Sequence, residues 1–156
     1  MSEVDLDQDF PKPRANEALQ GHEAAENHLR GALDSGRLHN AWLISGPKGI
    51  GKATLAYRFA RYVLTYGHDG GGGDTGLFAA ADLAPAGPDE GLFVAPENPV
   101  FKRIVASGHT DLLVIERTEN DRGKMRTEIV VDDVRKSQNF FHMTAGEGGW
   151  RVIVVD

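Results

Sequence analysis

The chain has 156 residues, 17 Lys and Arg, 23 Asp and Glu, six His and no Cys, for a formal charge of −6. A length near ~150 residues suits one domain with a core of its own, and the missing Cys exclude a disulfide scaffold and any Cys-ligated zinc or iron–sulfur centre. No apolar run approaches the ~20 residues of a membrane span, and the acidic start is unlike a signal peptide, so the expectation is a soluble, cytoplasmic domain with no membrane partner.

The net negative charge argues against nonspecific nucleic-acid binding by the bulk surface, but the charge is unevenly spread. Residues 1–10 carry four acids and no base, residues 12–66 eight bases and four acids, and residues 67–100 six acids and no base, while residues 101–156 hold nine of each. Two acidic segments therefore flank a basic one, and they read as solvated loops beside an ordered module.

In chain order, residues 1–20 are polar, contain Pro and lack periodicity, which predicts an extended N-terminal arm. From Gly21 to Arg37 a helix is expected, with Ala25, Leu29, Ala32 and Leu33 on one face and Gly36 as its stop. Ala41-Trp42-Leu43-Ile44 is a short unbroken apolar run that suits a strand buried on both faces of a parallel sheet. Ile50 to Tyr66 is the clearest helix, with Leu55, Ala56, Phe59, Ala60 and Val63 as its apolar stripe and Arg58 and Arg61 off it.

Gly70 to Gly73 with Pro85, Pro88 and Pro96 make residues 67–97 read as a flexible insertion with little packing capacity. Asn98-Pro99 starts a helix with Val100, Ile104 and Val105 apolar, closed by Gly108. Leu112 to Ile115 is a second buried-type strand, and the charged stretch Arg117 to Arg126 an exposed loop. A helix beginning at Asp132 or Asp133 places Val134, Gln138 and Phe141 on one face, and Val152 to Val155 is a third buried-type strand ending at Asp156. Strands alternating with helices predict an α/β fold with a parallel sheet. Trp42 and Trp150 read as core or rim packing rather than base-stacking residues, and Lys102-Arg103 as part of a solvated face.

The informative stretch is Gly46-Pro47-Lys48-Gly49-Ile50-Gly51-Lys52-Ala53-Thr54, a GxxxxGK pattern directly after an expected strand and before an expected helix. Gly46 and Gly51 permit a backbone whose successive N–H groups converge on one anion. The helix N-terminus adds its dipole and free N–H groups, and Lys52 a point charge for β- and γ-phosphate oxygens. The full motif places Ser or Thr after the Lys to hold Mg²⁺. Here that residue is Ala53, and Thr54 lies about 100° further round the helix. Phosphate cradling, which depends on backbone and Lys52, is expected to survive, whereas Mg²⁺-assisted hydrolysis should suffer. Four apolar residues ending in Asp156 have the Walker B form, in which the carboxylate positions Mg²⁺ through water.

Taken together, Gly21-His22-Glu23, Gly36 through Gly46, Gly49 through Ala56, Gly108-His109-Thr110-Asp111 and Ile129 through Arg135 resemble bacterial clamp-loader subunits of the AAA+ class. The likeness is strongest to the delta-prime type of DNA polymerase III and runs over residues 10–156. It implies an α/β P-loop NTPase (AAA+) parallel sheet flanked by helices, truncated at the Walker B strand. Residues 1–20 would be the arm and residues 21–156 the N-terminal portion of the AAA+ domain, with its insertion at 67–97 and without lid or C-terminal collar.

The resemblance also implies a function: a subunit that helps load the sliding clamp on primed DNA, with a degenerate phosphate loop and a mainly structural, stator-like role. Its partners would be the delta and the ATP-binding gamma/tau subunits, with primer-template DNA met only through the assembled complex. ATP or ADP would lie against Gly46 to Thr54, with Pro13-Arg14 and the segment near His22 close to the base or phosphates and Asp156 as the acid. The family's four-Cys zinc module would fall in residues 67–97, where there is no Cys; no zinc and no metal ligand set is expected, since His68 and His109 are too few and His22 and His28 face different sides of a helix. The family's sheet order, 5-1-4-3-2, leaves the P-loop strand touching neither of the other two strands, with strand four expected after Asp156. The chain alone should then aggregate, pair with another chain or rearrange its sheet. The alternative function is an active AAA+ ATPase hydrolysing at its own P-loop. A small-molecule kinase is weaker, because residues 67–97 offer no Arg-rich lid.

Overall fold

In the computed structural model, which describes residues 11–67, 91–147 and 149–156, one helix lies between two small apolar cores. The elements are α1 (Glu23–Asp34), α2 (Lys52–Tyr66), α3 (Pro99–Val105), β1 (Leu112–Ile115), α4 (Val131–His142) and β2 (Val152–Val155). A helix that is buried all round belongs inside a domain, and α2 is one. Leu55 and Tyr62 pack with Leu29, Leu92, Val94 and Phe101 in the first core. Tyr57, Ala60 and Leu64 pack with Val100, Ile104 and Val154 in the second. The helix α3 starts where Asn98 and Pro99 predicted, with the Asn98 side chain accepting the Val100 N–H at 2.8 Å.

The strands β1 and β2 pair in parallel, Leu112 opposite Val152 through Ile115 opposite Val155, with α4 in the crossover between them. The chain is therefore a small α/β fold with a two-strand parallel sheet and four helices among the described residues.

Several expectations are corrected. Residues 41–46 form no strand, and no strand pairs with them among the described residues. Trp42 and Ile44 pack against the first core while Leu43 is 94% exposed, so the segment is buried on one face rather than two. Gly91 and Leu92 to Val94 do pack, contrary to the expected idle insertion: Leu92 is fully buried, and Gly91 donates its N–H to Asn27. Residues 1–10 and 68–90 lie outside the described residues, including most of the arm's acids and of the insertion. In α3 Val100 and Ile104 are buried as expected, Phe101 is buried with them, and Val105 is exposed. The helix α4 begins one residue earlier than expected and has no buried residue; the face carrying Val134, Gln138 and Phe141 points outward.

The largest correction concerns Arg58 and Arg61, which are buried, Arg61 to 1% exposure. They hold the backbone of residues 14–17. Arg61 donates to the carbonyls of Arg14 (2.8 Å) and Asn16 (2.7 Å), and Arg58 to that of Glu17 and to the Glu26 carboxylate. Burial, with Arg58 beside it, pulls the Arg61 guanidinium down to about 10. The described part of the arm is thus a strap fastened along α2.

A second polar knot joins the strand ends. Asp111, 2% exposed, accepts the N–H groups of Gly146 (2.8 Å) and Glu147 (3.1 Å), and its own N–H donates to His109 Nδ1 at 3.2 Å. Arg103 pairs with Glu147 beside it. The turn that feeds β2 is thereby clamped to the start of β1.

Two predictions follow from these knots. Glu26→Leu leaves the Arg58 charge buried without its carboxylate and should cost about 3 kcal/mol of unfolding free energy, read by urea denaturation; a change under ~0.5 kcal/mol, the size expected of an ordinary surface site, would show the pair to be dispensable. His109 must keep Nδ1 unprotonated to accept the Asp111 N–H, and burial together with the Arg103 charge holds it below the ordinary histidine range, against Glu147 and Asp111. Because its folded pKa lies below the unfolded value, the unfolded chain takes the proton first. Stability should therefore fall as pH drops from about 6.5 towards the folded pKa. Urea titrations at successive pH values check this: His109→Asn should flatten the slope in that window, and an unchanged slope would remove His109 as its source.

Candidate functional site

Residues 46–52 join the segment around Trp42 and Ile44 to α2, and the backbone there is built around three glycines. Gly46, Gly49 and Gly51 have φ of 151°, 82° and 97°, a region that L side chains avoid. The first helical bond runs from Leu55 N–H to the Gly51 carbonyl at 2.9 Å. The N–H groups of Lys52, Ala53 and Thr54 consequently have no helical acceptor, and they gather at the positive end of the helix dipole. Gly46, Pro47, Lys48, Gly49 and Ile50 are all exposed.

Lys52 reaches back over the loop and donates from Nζ to the carbonyls of Gly46 (3.0 Å) and Pro47 (2.7 Å). Its ammonium therefore lies at the mouth of the loop, held by two neutral acceptors that an anionic oxygen can replace. Ala53 has no oxygen to offer a cation, and Thr54 is buried in the body of the fold. The loop can supply N–H donors and the ammonium groups of Lys52 and the exposed Lys48, but no hydroxyl at the position after Lys52.

The strap closes one side of this loop. His22 Nε2 lies 2.7 Å from the Ile50 carbonyl. A Cβ on Gly51 would come within 2.7 Å of Leu19 Cδ1. Arg14, by contrast, is not brought to the loop. Its guanidinium bonds Ser107 and Glu116 (3.1 Å) and lies 5.9 Å from the centre of the Tyr57 ring. Asp156 ends β2 with its N–H on the Ile115 carbonyl at 3.0 Å. Arg14, Glu116 and Asp156 all act on the Tyr57 phenol, whose pKa is raised, chiefly by burial. The carboxyl ends of β1 and β2, the region where open α/β sheets bind ligands, thus hold these three charges.

A cavity of about 290 Å³ opens along β1, lined by Arg14, Ser107, His109, Leu113 and Glu116 among others, and it does not include the loop. No group of three or more metal-ligating side chains occurs among the described residues, and no helix among them is long and apolar enough to cross a membrane. Arg58, Arg61 and Glu26, which place the strap, are missed by sequence reasoning because polar residues on a helix default to its wet face. The available signal is that Leu55, Tyr57, Leu64 and the expected stripe leave α2 almost no polar face for them.

No family model, no curated protein and no solved structure matches this chain.

The two inner glycines differ in a testable way. Gly51→Ala meets both the positive φ and Leu19, whereas Gly49→Ala meets only the positive φ, with nothing within 4 Å of the added carbon. The strain alone should cost about 1–2 kcal/mol. Gly51→Ala should therefore lower the thermal midpoint more than Gly49→Ala; equal shifts would mean that the strap does not press on the loop.

Proposed function

We propose that this chain binds a nucleoside polyphosphate at residues 46–54 and works as a clamp-loader subunit of the delta-prime type, with a degenerate phosphate loop and a mainly structural role. The observation that carries the reading is the loop itself: three glycines at positive φ, three N–H groups without helical acceptors and the Lys52 ammonium all meet at the start of α2. The resemblance of Gly21 to Ala56, Gly108 to Asp111 and Ile129 to Arg135 to AAA+ clamp-loader subunits supplies the biological role. The parallel pairing of β1 with β2, with residues 41–46 beside neither, is compatible with the sheet order of that family.

On this reading the AAA+ P-loop fold, the delta and gamma/tau partners, contact with primer-template DNA through the assembled complex, and a cytoplasmic place of work come with the resemblance. ATP or ADP would take its phosphates to the N–H groups of Lys52 to Thr54 and to Lys52 Nζ. Mg²⁺ would find the Asp156 carboxylate at most, because Ala53 offers no oxygen. The active-ATPase alternative needs Thr54 to replace the missing hydroxyl, and the burial of Thr54 counts against it.

Nucleotide titrations of the full-length protein with and without Mg²⁺, beside an Ala53→Thr variant, test the proposal. The expected result is weak, Mg²⁺-insensitive binding by the wild type and metal-dependent tightening, roughly tenfold for each 1.4 kcal/mol gained, in the variant. Mg²⁺-dependent binding with turnover by the wild type would move the assignment to an active ATPase.

A further inference from the structure

We infer that His22 is a positioning residue for the phosphate loop, bracing its last turn through the Ile50 carbonyl. This rests on the loop being an anion site, but the brace itself is a property of the ligand-free fold. A carbonyl oxygen only accepts, so His22 Nε2 carries the proton and donates to Ile50 across 2.7 Å. Ile50 lies between Gly49 and Gly51, the two residues held at φ of 82° and 97°. A backbone with that much freedom has many conformations in which its N–H groups do not converge, and one hydrogen bond at its centre removes most of them.

The brace has a foundation. His22 occupies the N-cap position of α1, and the turn before it is closed by Gly21 N–H donating to Glu23 at 3.0 Å. Upstream, Leu19 sits against Gly51, and the strap that carries Leu19 is fastened to α2 by Arg58 and Arg61. In α1 itself, Glu26 bonds Arg58. The His22 ring is thus held from both sides by groups anchored on the same helix whose N-terminus the loop opens. The His22 side chain makes no other hydrogen bond among the described residues and belongs to neither core, while its carbonyl keeps the Glu26 N–H at 2.9 Å whatever the side chain, so its replacement leaves the packing of the domain intact.

The test uses the full-length protein as wild type, His22→Ala and His22→Gln, since a Gln amide can donate to the same carbonyl. Two quantities are read: amide hydrogen exchange over residues 46–52 without ligand, and the dissociation constant for ADP. His22→Ala should speed the exchange and weaken ADP by roughly fivefold, the worth of one neutral hydrogen bond, at an unchanged thermal midpoint. His22→Gln should restore both. If the wild type binds no ADP, the anion-site reading fails on its own, and the brace is then upheld or overturned by the exchange rates alone. Equal exchange in wild type and His22→Ala overturns the inference, as does a His22→Gln protein that behaves like His22→Ala.

Discussion

Two guanidinium groups buried on one helix are the constraint on which the rest of the structure depends. Arg58 and Arg61 are three residues apart and so share a face of α2. Both are out of water, and burying a charge is costly unless it is paired and hydrogen-bonded. Glu26 neutralises one of them, and the carbonyls of residues 14, 16 and 17 each accept a further bond from the pair. Arg61 also stacks 4.5 Å from the Phe101 ring centre, which ties the same point to α3. An irregular stretch with no helix or strand of its own is fixed because its backbone is the ligand of two cations. Everything else it does follows from where it is fixed: the Arg14 side chain reaches β1, while Leu19 and His22 reach the glycine loop.

The loop needs that support because the segment before it has none from a sheet. Residues 41–46 have no ladder among the described residues, and Trp42 and Ile44 pack them against the first core. The Trp42 ring meets those of His28, His39 and Phe59 edge-on at 5.5–6.3 Å. Side-chain packing of this kind fixes where the segment lies, but it leaves the backbone polar groups to solvent. The loop is thus positioned from α2 and the strap, and the two-strand sheet, clamped by Asp111 at the other core, stands apart from it.

The elements whose residues decide their own conformation were legible in the sequence. Asn98-Pro99 begins α3 because the side chain caps and the proline fits the first turn. The glycines of residues 46–51 adopt positive φ because nothing else tolerates it, and the two apolar runs at residues 112–115 and 152–155 pair as parallel strands. What was not legible depends on who the neighbour is. Leu43 reads as buried because it sits in an apolar run, yet it is exposed where no strand covers it. Phe141 shares a helix face with Val134 and Gln138 as the spacing predicts, but the sequence does not say what covers that face; α4 touches mainly β1, and Phe141 is 65% exposed. Arg58 and Arg61 read as solvated because charge normally is; only a count of how little polar surface α2 retains would have sent them inside. Within the site, the sequence identified the lysine and the missing hydroxyl, and the resemblance brought the segment near His22 to the nucleotide, but the bond from His22 to Ile50 was not legible because the two lie 28 residues apart.

On the phosphate-loop reading, Ala53 and Lys52 together decide what kind of site this is. In the ligand-free fold the ammonium is satisfied by two neutral carbonyls, so an entering anion must displace them. The exchange replaces neutral carbonyls by an oxygen of opposite charge, which adds ionic attraction to bonds the ammonium already makes, and the three N–H groups at the helix start add donors that have no competing helical acceptor. None of these contributions needs a metal. Hydrolysis does: charge developing on the transferred phosphoryl group is met in this class of site by a cation held between a hydroxyl and an acid. With a methyl group at residue 53, no hydroxyl would be there to hold such a cation beside the loop. On that reading the residues present favour holding a polyphosphate over cleaving one.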